Sequence, residues 1–277
     1  MFFEIETMLA KYAKILVLLL LAWLPAYVSA TVVDGDSIDC IVFLGDSNTS
    51  IGGDACNIGK AWTKWFVADF PVKTYRSYAR SGATWTNAAG TQRDTEEYTE
   101  KLGDNNVVYN QCERLLEACA KGEQAVPNLI VIAAGTNDAW FRKARPSLFS
   151  ESVDAAFAIP AEQLLSKQPA EVLSLAGSVR FVCERLRKAF PEARIVLLTP
   201  MQTTATSLQN IRRVSDTIAA CAQRLEIDVV WQDGTDFLSR EQERKHVYTS
   251  DGTHTNPRGA KKNGRLLARR IKELLKP

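Results

Sequence analysis

Ser47 stands in the run Gly45-Asp46-Ser47-Asn48-Thr49, directly after the apolar stretch Ile41-Val42-Phe43-Leu44. A serine at a strand-to-helix turn has an exposed hydroxyl and nearby backbone N–H groups to assist it. Gly45 permits the tight turn. A hydroxyl is a poor nucleophile until a base takes its proton. The chain holds two histidines, His246 and His254. His254 closes the run Asp251-Gly252-Thr253-His254. A carboxylate three residues before a histidine lies about one turn away and can orient the imidazole. His246 has only Arg244, Lys245 and Val247 around it, so it reads as a surface or structural histidine. Asn137, in Gly135-Thr136-Asn137-Asp138, offers an amide that could donate to a developing oxyanion. Each piece alone also has a plainer reading. Gly-Asp-Ser occurs in ordinary turns, as Asp34-Gly35-Asp36-Ser37 illustrates, and loop asparagines often satisfy their own backbone.

The elements that must position these groups are legible as apolar runs. Ile41–Leu44 reads as a buried strand ending at Gly45, Asn128–Ala134 as a second and Arg194–Thr199 as a third. Ile227–Trp231 is a fourth and Val72–Tyr78 a weaker fifth. Continuous apolar runs, without alternation, indicate strands covered on both faces, as in parallel sheets. Between them lie helical patterns over Gly59–Asp69, Val107–Lys121, Ala170–Phe190, Ala205–Leu225 and Asn256–Leu275. Pro257 comes early in the last, where proline is tolerated. Alternating strands and helices imply a doubly wound α/β sheet. Reactive groups in such sheets gather beyond the carboxyl ends of the strands. The serine and asparagine blocks follow strand-like runs directly.

Taken together, four blocks resemble the SGNH hydrolase family, also called GDSL-like lipases and acylhydrolases. They are Gly45-Asp46-Ser47, Gly82 in Arg80-Ser81-Gly82-Ala83-Thr84, Gly135-Thr136-Asn137-Asp138, and Asp251-Gly252-Thr253-His254. Any one is unspecific, but their joint order and placement over roughly residues 38 to 275 is not. The resemblance implies a single three-layer α/β/α domain, flavodoxin-like, with a doubly wound five-stranded parallel sheet. It makes Ser47 the nucleophile, His254 the general base and acid, and Asp251 its orienting carboxylate. The oxyanion donors it implies are the backbone N–H groups of Ser47 and Gly82 and the Asn137 side chain. It implies no metal and no organic cofactor. Four positions depart from the family pattern. Asn48 stands where many members carry Leu or Ile, and Arg80 where an asparagine is common. Trp85 replaces a second glycine, and Thr255 replaces the proline usual after the histidine. None touches the triad; those around Gly82 bear on its oxyanion role and on the shape of the pocket.

The remaining features bound the setting. Of 277 residues, 34 are basic and 32 acidic, for a net charge of +2. That balance gives no electrostatic case for nucleic acid as a partner. At the N-terminus, Lys11 and Lys14 precede the apolar run Ile15–Leu24, then Pro25 and Val28-Ser29-Ala30. This is the layout of a secretory signal peptide, residues 1–30, ahead of a hydrolase domain over 31–277. The run is short for a bilayer span, which takes about 20 residues; an uncleaved anchor is the alternative. Glu4 and Glu6 are unusual so early, and a start at Met8 would remove both. The expected localisation is therefore periplasmic or secreted, with no stable membrane span after cleavage. Six cysteines, Cys40, Cys56, Cys112, Cys119, Cys183 and Cys221, allow either bridges or buried thiols. Cys112 with Cys119 is disfavoured, because seven residues along one helix place their Cα atoms about 10 Å apart.

Trp85–Asn106 and Ala139–Gln168 lack clear strand or helix character and flank the site. They carry Trp85, Trp140, Phe141, Phe149 and Phe157, with Arg142, Lys143 and Arg145. Exposed aromatics stack on sugar faces and arginines pair with carboxylates or phosphates, although most large aromatics pack inward. Trp85 and Trp140 are the candidate substrate contacts. The expectation is an exported serine esterase acting on a small-molecule or glycan ester, with a carbohydrate acetyl esterase favoured. A lysophospholipase or thioesterase, an acyltransferase using the same triad, and an inactive glycan-binding protein are the alternatives.

Overall fold

Five parallel strands form one sheet in the order β2-β1-β3-β4-β5. They are β1 (Cys40–Gly45), β2 (Thr74–Ser77), β3 (Leu129–Ala133), β4 (Arg194–Leu198) and β5 (Asp228–Val230). The computed structural model describes residues 38–96 and 99–276, which belong to one compact unit. The expected signal peptide at 1–30 lies outside the described residues. Among those described, no helix is long and apolar enough to cross a membrane.

Strict alternation along the central strands divides their side chains between two cores. Val42 and Leu44 of β1, Ile130 and Ile132 of β3, and Ile195 and Leu197 of β4 face one side. Ile41, Phe43, Leu129, Val131, Val196 and Leu198 face the other. Both faces are covered, so every second position must be apolar twice over, and the runs read as continuous. The first core is closed by α3 (Val108–Ala120), α5 (Leu175–Ala189) and α6 (Leu208–Arg224). The second is closed by α2 (Trp62–Asp69) and α7 (Pro257–Leu274). This is the three-layer α/β/α arrangement expected from the sequence. Fully burying a Leu, Ile or Phe side chain contributes about 1.5–3 kcal/mol, and the two cores hold dozens of such groups.

Three of the five long helices begin at a side-chain cap. The Ser174 and Ser207 hydroxyls accept from Gly177 N at 2.9 Å and Asn210 N at 3.1 Å. Asn256 accepts from Gly259 N at 3.0 Å, with Pro257 at the first helical position. These caps place the starts of α5 and α6 a few residues later than the apolar periodicity alone. The Ala139–Gln168 segment, expected without regular structure, contains short turns at Val153–Ala156 and Ala161–Leu165. Four or five residues are too few to display a helical period.

Two short helices matter more than their length suggests. α1 (Ser47–Ser50) follows β1, and α4 (Thr136–Trp140) follows β3. The chain leaves β1 toward β2 on one side and returns past it to β3 on the other. The crevice at that reversal is where an open α/β sheet binds ligands, and both short helices open onto it. Gly45 makes the first turn feasible. Its φ is +147°, and a Cβ there would sit 2.1 Å from the Ala133 carbonyl oxygen. Gln111 of α3 clamps the same glycine, accepting from its N–H at 2.7 Å and donating to its carbonyl at 2.9 Å. Gly45→Ala is expected to destabilise the protein by about 3 kcal/mol or more. Chemical denaturation measures this; a loss below 1 kcal/mol would mean that the turn relaxes freely.

Candidate active site

The apolar β1 ends at the sheet's carboxyl edge, and the following turn presents Ser47 at the first position of α1. Asp46 caps this helix, accepting from Asn48 N at 3.2 Å. Trp62 of α2 donates from its indole nitrogen to Thr49 Oγ1 at 3.1 Å, which fastens the turn to the second core. His254 arrives from the other end of the chain on the loop before α7. Its Nε2 lies 2.9 Å from Ser47 Oγ, and its Nδ1 lies 2.7 Å from Asp251 Oδ2. The carboxylate holds the ring proton at Nδ1, so Nε2 is left to accept the serine hydroxyl. Asp251 Oδ1 also accepts the backbone N–H groups of Thr253 at 2.9 Å and His254 at 2.8 Å. Partial burial pushes its carboxyl up, but these hydrogen bonds outweigh that and hold it below the ordinary carboxylate range. Asp251 therefore stays charged beside the imidazole.

The loop itself is built from the far side. Glu243, fully buried, accepts Tyr248 N at 3.1 Å and the Thr249 hydroxyl at 2.6 Å. Ser250 N donates to His254 O at 2.8 Å, and Thr249 bridges Thr255 in antiparallel register. His246 is exposed, with φ of +50° and its own N–H on Glu243 O, away from the serine's partners as expected.

The segment leading to Gly82 lies against the serine turn, with the Ser81 and Ser50 hydroxyls 2.8 Å apart and Arg80 N donating to Gly45 O at 3.1 Å. Among the described residues, the Ser47 and Gly82 N–H groups have no protein acceptor. Asn137 is buried in α4, and one hydrogen of its amide is fixed to Ala83 O at 2.8 Å. The second hydrogen of that amide remains to donate. Gly82 has φ of +79°, and a Cβ there would approach Leu102 N and the Lys101 carbonyl carbon to 2.7 Å. Glycine is thus required sterically, and the Arg80 departure does not disturb it. Arg80 is buried and pairs with Asp54 at 2.9 Å.

Asp138 joins the second and third blocks. Its carboxylate accepts Trp85 N at 2.9 Å, Thr86 N at 3.0 Å and Thr86 Oγ1 at 2.6 Å. Burial pushes it up, against those three donors. Sequence reasoning left Asp138 without a role, as it did Gln111 and Glu243. Their signal is visible only as polar residues within otherwise buried segments.

Trp85 does not face a substrate. It is fully buried, with its indole nitrogen on Ala134 O at 3.2 Å, so it wedges the Gly82 loop against the end of β3. A tryptophan side chain replacing a glycine hydrogen needs room, and the first core supplies it. Arg145 is likewise buried, donating to Gly103 O at 2.8 Å and Thr86 O at 3.2 Å. Trp140 behaves differently. It is 40% exposed, stacked on Phe141 at 4.8 Å, and lies three residues along α4 from Asn137, which places it on the same helical face. The six cysteines are free thiols, and burial pushes Cys221 up to about 12. Among the described residues no cluster of His, Cys, Asp and Glu could hold a metal ion.

The doubly wound parallel α/β fold thus carries a serine, an imidazole and a carboxylate in hydrogen-bonded sequence at its carboxyl edge. The sequence profile of the GDSL-like lipase/acylhydrolase family matches residues 43–262, so the chain belongs to that family, whose members are hydrolases acting on esters. Solved structures agree on the fold. A candidate GDSL-like lipase from Bacteroides ovatus is 14% identical, with a TM-score of 0.51, over 86% of this chain and 99% of that one. A possible lipase from Chitinophaga pinensis is 14% identical with a TM-score of 0.51, over 85% and 98%. No curated protein matches the chain.

The buried Asp46 carboxyl is pushed up from 3.8 to about 6, chiefly by burial. The folded state therefore binds this proton more tightly than the unfolded chain does. Stability from this group is fully present below about pH 4 and is lost as pH rises to about 6. The linkage is on the order of 3 kcal/mol. Asp46→Asn keeps the helix cap and is expected to remove this slope. Denaturant unfolding from pH 4 to pH 7 compares the two proteins; parallel curves would contradict the assignment.

Proposed function

We propose that the protein is an exported serine esterase that cleaves carboxylic esters through Ser47, His254 and Asp251, with acetylated glycans as its substrate class. The observation that carries the reading is the unbroken chain Ser47 Oγ–His254–Asp251, at 2.9 and 2.7 Å. In this mechanism His254 Nε2 takes the serine proton as Oγ bonds to the ester carbonyl carbon. The carbonyl π electrons move to oxygen, where the N–H groups of Ser47 and Gly82 and the Asn137 amide receive them. Each such donor lowers the barrier by about 3 kcal/mol. The carbon–oxygen bond to the alcohol then breaks, and the alcohol leaves with the proton from His254. Water repeats the sequence on the acyl-serine, releasing the acid and restoring Ser47.

The substrate class rests on Trp140, an exposed aromatic plate one turn beyond Asn137. A flat, weakly polar ring suits the apolar face of a sugar. Export is proposed from the basic, apolar and small-residue order of residues 1–30, with cleavage after Ala30. N-terminal sequencing of the exported protein is expected to start at Thr31; a start upstream of Ile15 would favour an anchor.

Ser47→Ala is expected to lower hydrolysis of an aryl acetate by at least about 10³-fold. Its melting temperature should stay within a degree or two, and labelling by a fluorophosphonate probe should vanish. Full activity in the variant would overturn the nucleophile. Wild-type protein should prefer acetylated sugars; preference for acyl chains of about eight carbons or more would reject the glycan class.

A further inference from the structure

Asn48 follows the nucleophile directly and is buried, 6% exposed. Its side chain crosses to the histidine loop in both directions. Nδ2 donates to Thr253 O at 3.3 Å, and Oδ1 accepts from Thr255 N at 3.2 Å. These two groups flank His254 on either side. Apart from the Ser47–His254 contact, they are the hydrogen bonds that join α1 to this loop among the described residues. The other ties lead elsewhere. Thr253 meets the Thr203 hydroxyl at 2.5 Å, Gly252 O accepts Thr204 N at 3.0 Å, and Thr255 Oγ1 donates to Lys60 O at 2.7 Å.

We propose that Asn48 is a positioning residue that sets His254 against Ser47, and that it is matched to Thr255 across 207 positions of the chain. The inference rests on Ser47 and His254 acting as proposed above. The chemistry of the amide explains the choice of side chain. One donor and one acceptor are needed in a planar fork, at a carbonyl and an N–H two residues apart. Asparagine supplies both, leucine neither, and aspartate when charged only the acceptor. A buried N–H without an acceptor is costly. Threonine at 255 carries such an N–H; proline does not. Thr255 N takes no part in the antiparallel bridge to Thr249, so its need for an acceptor falls on Asn48.

A signature follows from the loop's construction. Asp251 and His254 sit in one loop and bond to each other. Loosening the clamp moves them together relative to Ser47. The imidazole keeps its carboxylate while its distance to the hydroxyl becomes variable. Proton transfer slows, and the acid limb of the pH–rate profile stays in place.

The test uses the full chain with Asn48→Leu, Thr255→Pro and both together, assayed with an aryl acetate and by rate of fluorophosphonate labelling. Asn48→Leu is expected to lower kcat about 10- to 100-fold, as small misplacements of reacting groups do. KM should stay within about twofold and the acid limb unmoved. In the Thr255→Pro background the same leucine should cost at least about threefold less than in the wild-type background, because the N–H arm is already gone and only the bond to Thr253 O is left to lose. If Asn48→Leu fails to fold, Asn48→Ser, which reaches neither partner, should show the same fall in kcat. Wild-type kcat in either variant, a leucine effect of equal size in both backgrounds, or a shifted acid limb overturns the proposal. Wild-type protein that neither hydrolyses ester nor labels would overturn the esterase reading beneath it.

Discussion

The His254 imidazole must reach a hydroxyl 207 positions earlier in the chain while keeping a carboxylate at its back. Everything else near the crevice serves that demand. The carboxylate is local, three residues away in the same loop, so the imidazole and the carboxylate bonded to it arrive as a unit. The hydroxyl is remote, and its approach depends on how the last loop docks against the first strand's turn. Bringing such distant segments together costs chain entropy, which the burial of two apolar cores offsets.

The sheet reversal between β1 and β3 provides the place. Gly45 lets the chain pass within contact of Ala133 O, and Gln111 closes around its peptide from the far core. Asp138 then ties the segment just after Gly82 to α4, accepting the N–H groups of Trp85 and Thr86. Donors fixed in advance need no reorganisation when charge develops. The burial of Asp46, Asp138 and Glu243 has a cost in desolvation, and each is surrounded by N–H or hydroxyl donors that reduce it. These acids hold the turns and loops around Ser47 and His254 in place.

The arrangement also shows how large or polar side chains near the reactive groups are accommodated. Arg80 finds Asp54, and Trp85 finds the carbonyl of Ala134 and a place in the first core. Both become structural, which removes Trp85 from the substrate and leaves Trp140 as the exposed plate. Asn48 and Thr255 find each other. A substitution near a reactive group is tolerated when its new polar atoms are satisfied.

The fold was legible because strands covered on both faces must be apolar throughout, and helices packed on one face show an apolar period near 3.6 residues. All five strands and five long helices lie where those patterns put them, within a few residues. The pairing of Asp251 with His254 was legible because the two lie three positions apart in one loop, whereas the approach of Ser47 is a matter of tertiary docking. What the sequence could not decide was which polar residues reach inward. Gln111, Asp138 and Glu243 look like any polar residue in a chain, since their partners lie in segments that only folding brings near. Trp85 and Trp140 are the same residue type in two unstructured-looking stretches. Only tertiary packing made one a wedge and the other a surface, because burial is a property of what surrounds a side chain and not of the side chain itself.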